Sequence, residues 1–158
     1  MPWQTIAELT VWAAVGALLA SVLIDDLANY RVCNRTVLML ACLFVVYCLI
    51  KDNLSLFVGH LTIAAVVFVV LAAAYGLGMM GGGDLKLLTI AFLWLGLENG
   101  FLFCLLLCAA SVVYIGSAWL NWLPSRKLDK RTQVPFGPSI AVAWVTTMLL
   151  TELPRALA

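Results

Sequence analysis

Six apolar runs divide the chain, at residues 3–24, 34–50, 54–78, 85–97, 100–122 and 138–153. Polar and charged residues are largely confined to the joints between them. A helix that crosses the hydrocarbon core needs about 20 predominantly apolar residues, so the pattern predicts six membrane-spanning helices. Two of them are short. The stretch from Leu85 to Leu97 rises about 20 Å, and that from Ser139 to Leu153 about 22 Å, against a core of about 30 Å. The loops that feed these two, 79–84 and 134–138, are therefore expected to dip below the membrane surface. Irregular backbone survives at that depth only where protein or a wet cavity satisfies it. Strong tilt of neighbouring helices with local bilayer thinning is the alternative.

Composition sharpens this picture. Of 158 residues, 65% are hydrophobic and 11% charged, which excludes a soluble domain of this size and excludes disorder. A formal charge of +1 offers no whole-chain signal for nucleic acid. The expected fold is an all-α integral membrane protein, a single domain over 1–158 in which about six helices form a bundle, some short and fed by re-entrant loops. The first run lacks a basic n-region and a clear cleavage site, and more spans follow it, so it is expected to remain as a membrane helix. Arg31, Arg35, Lys86, Arg126, Lys127, Lys130 and Arg131 fall in or beside the odd-numbered connections, leaving only Lys51 and Arg155 elsewhere. The positive-inside rule then puts the odd connections in the cytoplasm and both termini outside. Asp25, Asp26 and Asp84 share the cytoplasmic side, and Asp52 and Glu98 the other.

Acids beside a membrane span are expensive, and such residues are candidates for function. Asp84 ends the run Gly81-Gly82-Gly83-Asp84. Three glycines permit positive φ and close approach of another backbone. An acid at a helix start also fits an ordinary cap, although a serine would do that at smaller cost near lipid. Asp25 and Asp26 close the first run, before a short polar link to Asn34, which suits the N-cap of the second helix. Adjacent helical residues point about 100° apart, so at most one of the two acids readily faces a shared site. Pro135-Phe136-Gly137-Pro138 makes a stiff turn on the same expected face, with Pro138 in a first helical turn.

Asp26-Leu27 followed by Arg31-Val32-Cys33-Asn34, then Gly81-Gly82-Gly83-Asp84-Leu85-Lys86-Leu87, then Pro135-Phe136-Gly137-Pro138 resembles the type IV prepilin peptidases, GxGD-type intramembrane aspartyl proteases. Order and spacing agree across nearly the whole chain, with one departure at Cys33, where the family usually carries Pro. The length is most similar to the compact peptidases of Flp (tight-adherence) pili. The larger members add a segment with paired Cys-x-x-Cys motifs and N-methylate the new pilin terminus. No such motif occurs in this sequence, so the resemblance implies leader removal without methylation.

The resemblance assigns catalysis to Asp26 and Asp84, with Asp25 as the local competitor. It assigns substrate-binding or structural roles to Gly81, Gly82, Gly83, Lys86, Pro135, Phe136, Gly137 and Pro138. Two carboxylates held close share one proton, so one activates water while the other donates to the scissile carbonyl. No metal or other cofactor is required. Lys86 can favour the charged form of Asp84 or snorkel to the interface. The implied partners are a prepilin with a basic leader and a hydrophobic helix, membrane lipid and pilus assembly proteins, with no nucleic acid. The implied location is a bacterial inner membrane with the site on the cytoplasmic side. The glycines would let the substrate backbone approach the dyad. A non-catalytic subunit of a pilus assembly machine and a small transporter are the competing classes. Transporters place ionisable groups near the midplane, whereas these acids lie at span ends.

Other polar residues carry smaller expectations. The five cysteines read as small buried apolar residues. His60 reads as interfacial or hydrogen-bonded within the bundle. Trp3, Trp12, Trp119 and Trp122 include candidates for the interfacial belt. Gly16 and Ala20 permit close helix approach. The polar stretch 121–134 is expected to be a cytoplasmic loop whose four cations are positive-inside anchors, with the gripping of anionic lipid headgroups a secondary role.

Overall fold

The computed structural model describes residues 3–29, 32–120, 126–128, 131–133 and 136–157. Five helices follow one another: α1 (Trp3–Asn29), α2 (Asn34–Lys51), α3 (Leu54–Gly76), α4 (Gly82–Trp119) and α5 (Gly137–Leu157). Between α4 and α5, β1 (Arg126–Leu128) pairs antiparallel with β2 (Arg131–Gln133). The first four helices are long and apolar enough to cross a membrane. The protein is an all-α membrane protein apart from this small hairpin.

The fourth and fifth expected spans fall within the single element α4, which breaks at Gly96 (φ 60°, ψ −164°). Phe92 and Phe103 would stand about 16 Å apart along a straight helix, yet their ring centroids are 5.6 Å apart. The Phe92 ring also lies 3.0 Å from where a Cβ on Gly100 would be. The limbs 82–95 and 97–119 therefore fold back on each other. The first limb is indeed short, about 21 Å at helical rise. The apolar part of α5, Gly137–Thr151, is short as well, about 22 Å, although the helix itself continues through Pro154 to Leu157.

Local chemistry sets the joints. Asp52 adopts a left-handed conformation (φ 46°) after α2, and the Asn53 side chain accepts from Leu56 N at 3.0 Å to cap α3. Gly78 (φ 71°) ends α3, with Gly78 N donating to Tyr75 O and Met79 N to Ala74 O, a Schellman pair. At the Gly96 break, Leu93 O loses its intrahelical partner and accepts from His60 Nδ1 at 2.9 Å. His60 is thus hydrogen-bonded within the bundle. The N-cap of α2 is Cys33, not Asn34, and it makes no side-chain cap bond.

Packing departs from the sequence reading in three places. Nothing lies within 4 Å of a Cβ built on Gly16, and Ala20 is exposed, so this pair does not mark a close helix contact. Only Cys48 of the five cysteines is buried. Trp12 is not a belt residue but joins Tyr47 and Trp94 in a three-ring cluster with centroids 5.1–5.6 Å apart. Trp3 is exposed, the side chain of Trp119 lies outside the described residues, and so does Trp122. Lys51 and Glu8 pair at 2.8 Å, which puts the start of α1 beside the end of α2.

Candidate active site

The buried positions of α1 are Val11, Val15, Leu19, Val22 and Asp26. Their spacing of three or four residues defines one helix face, so Asp26 continues the apolar stripe and points into the bundle. It is only 5% exposed. Asp25, turned away by one helical step, is partly exposed. The first helix runs past both acids to Asn29, rather than ending in front of them.

At the start of α5 the backbone N–H of Gly137 donates to Asp26 Oδ2 at 2.9 Å. The first N–H groups of a helix have no intrahelical acceptor, and the helix dipole favours a carboxylate there. A Cβ on Gly137 would stand 2.6 Å from Asp26 Oδ2 and 3.0 Å from its Cγ. Only glycine fits. Phe136 packs against the core and accepts the first helical bond of α5 from Ile140 N, while Pro138 and Ser139 are buried. Pro135 lies outside the described residues.

Asp84 is the third residue of α4, with Gly81 at the cap. Its carboxylate accepts from the backbone N–H of Gly81. This is the return half of a capping box, rather than the N-cap expected of Asp84. Asp84 and Asp26 repel each other electrostatically. Among the described residues, α1 and α4 nowhere bring their Cα atoms within 8 Å. The two acids therefore influence each other through their side chains and not through a close contact of their helices.

The three glycines divide in role. None adopts positive φ; that conformation falls upstream at Gly78. A Cβ on Gly82 would lie 3.4 Å from the Tyr75 ring, and one on Gly83 would lie 3.3 Å from Val32 Cβ. These two make room for the chain's own α3 end and its α1–α2 connection. Only at Gly81 would a Cβ crowd the acid, with Asp84 Oδ2 at 3.1 Å. Lys86 turns to α2, where its Nζ donates to Asn34 Oδ1 at 2.9 Å. Tyr75, Val32 and Asn34 thus border the site, and only contact geometry identifies the first two. No cluster of potential metal ligands occurs among the described residues.

The arrangement presents two carboxylates from separate helices, each held by a backbone N–H, at one end of the bundle. The sequence profile of the type IV leader peptidase family matches residues 12–116, a stretch that includes both acids and the three glycines. A prepilin leader peptidase/N-methyltransferase of Xanthomonas campestris pv. campestris is 40% identical over 67 residues. That stretch is 42% of this chain and 22% of the Xanthomonas protein, so the match spans about a fifth of the relative's length. No solved structure matches the chain.

Proposed function

The chain belongs to the type IV leader peptidase family, and from that premise we propose that it is an aspartyl endopeptidase that removes the leader from Flp-like type IV prepilins. The observation that carries this reading is Asp26. A buried acid at a membrane helix end is costly, and here it is fixed by Gly137 N and set against a second acid, Asp84.

Two like charges at close range hold a proton between them. The ionised carboxylate takes a proton from water as the water attacks the scissile carbonyl carbon. The protonated one donates to the carbonyl oxygen. Collapse of the tetrahedral species breaks the C–N bond, and the proton returns to the leaving amine. The pair acts as a unit, so neither step belongs permanently to one residue. Peptide bonds inside a helix are shielded by their own hydrogen bonds, so the junction must be unwound before it enters. Gly81 has no side chain to cover the Asp84 carboxylate beside it, and substrate backbone would approach the acids there.

The site would lie on the cytoplasmic face of the inner membrane, with both termini outside. This orientation follows from the distribution of Lys and Arg. Shallow re-entry of 79–84 would then keep Asp84 near water, in keeping with the short first limb of α4.

Co-expression with a candidate prepilin tests the proposal by the size shift on leader loss. Wild-type protein is expected to convert the prepilin, and Asp26→Asn and Asp84→Asn are each expected to abolish conversion while remaining in the membrane. Unconverted prepilin with wild-type protein, or conversion by Asp84→Asn, would overturn it.

A further inference from the structure

A cleft of about 270 Å³ opens between α1 and α5. Its walls include Leu9, Ala13 and Gly16 from α1 and Val145, Met148 and Leu149 from α5. A Cβ on Gly16 would meet nothing within 4 Å. Small residues of this kind let another helix approach closely within a membrane.

The two walls belong to the same two helices that hold Asp26 and Gly137. Gly16 lies ten residues before Asp26 and Leu9 seventeen, depths of about 15 and 25 Å at helical rise. Val145 and Leu149 lie eight and twelve residues after Gly137, depths of about 12 and 18 Å. The walls therefore agree on one range, about 12–25 Å from the Asp26–Gly137 contact. Around α1 the lining positions centre about a quarter turn from Asp26 at 100° per residue. An occupant would lie beside the acids, with only its end reaching them.

We infer that this cleft seats the hydrophobic helix of the substrate, and the inference rests on the leader-peptidase reading. A helix starting at the cut and running outward presents its residues about 8–17 to the cleft at 1.5 Å each. The walls are apolar, as that helix is. Its unwound first residues turn inward over the ends of α1 and α5 to the acids. A lipid chain or a second copy of this chain would also fit apolar walls, but neither accounts for the shared register with Asp26 and Gly137.

Gly16→Leu tests the inference. The new side chain grows into open space, so the bundle stays intact, which an unchanged melting temperature checks. Two substrates are compared: the full prepilin, and a soluble peptide that spans the cut but lacks the hydrophobic helix. The expected result is a KM for prepilin raised about tenfold, with kcat and all peptide kinetics unchanged. Unchanged prepilin kinetics overturn the inference, whether or not melting becomes sensitive to lipid chain length or a dimer dissociates. An equal loss on both substrates also overturns it. A photo-crosslinker at Gly16 in the Asp84→Asn background gives a second readout that needs no turnover. It should capture prepilin near the tenth residue after the cut, and capture elsewhere or not at all counts against seating there. If wild-type protein cleaves no prepilin, the leader-peptidase reading itself fails, which is a separate outcome.

Discussion

Gly137→Ala isolates one contact. The added Cβ would sit 2.6 Å from Asp26 Oδ2, whereas ordinary non-bonded contact begins at about 3.5 Å. Asp26 must retreat by about 1 Å. Its 2.9 Å bond to Gly137 N then stretches past the range in which a hydrogen bond holds. Losing such a bond costs about 1–3 kcal/mol. A misplacement of about 1 Å at a reacting group can cost 100-fold in rate. Alanine is a better helix former than glycine by about 1 kcal/mol, so backbone propensity works against any loss. The expected outcome is a fall of about 100-fold in the rate of prepilin conversion by purified protein, with the protein still folded and membrane-embedded. Gly59→Ala, where the added Cβ meets nothing within 4 Å and which lies on α3 away from both the acids and the cleft, is the control and should convert prepilin at the wild-type rate. Wild-type conversion by Gly137→Ala would refute the claim that this amide positions Asp26.

Three further outcomes are expected. Asp25→Asn should keep substantial activity in the same conversion assay, because Asp25 lies off the buried stripe that Asp26 completes; loss of activity there alone shifts the assignment by one residue. Gly96→Ala should lower the melting temperature, since positive φ costs about 1–2 kcal/mol for a residue with a Cβ and that Cβ would stand 2.7 Å from His60 Nε2. His60→Ala should remove the clash and leave Leu93 O unpaired, so the double variant should recover only part of the loss. Lys86→Met and Asn34→Ala should have equal, non-additive effects on conversion if their 2.9 Å bond is what Lys86 contributes; additive effects would show that Lys86 acts elsewhere.

Much of the bundle was legible because membrane helices announce themselves by length and apolarity. The outer turn at Asp52-Asn53 fell between the second and third runs as read. Family spacing singles out Asp26 over Asp25; the buried stripe Val11-Val15-Leu19-Val22-Asp26 that agrees with it emerges only in the structure, because residues 11–24 are almost uniformly apolar. Other features were hidden for physical reasons. The sequence places the joint between the fourth and fifth runs at Glu98-Asn99, but Gly96, the residue whose backbone makes the turn, lies inside the fourth run and so is not singled out. The last helix runs past the end of the sixth run at 153, through Pro154, to Leu157. Cysteines 33, 42, 104 and 108 are exposed because burial statistics come from water, whereas an apolar side chain facing lipid pays no such penalty. The contacts of Gly82 with Tyr75, of Gly83 with Val32 and of Gly137 with Asp26 are long-range in sequence, so local patterning identified the glycines but not their neighbours.

The most direct measurement is the rate of leader removal by purified wild-type, Asp26→Asn and Asp84→Asn proteins that melt alike. Joint water activation by the two acids requires both variants to fall by at least about a thousandfold. Conversion by either one within about tenfold of wild type would contradict it.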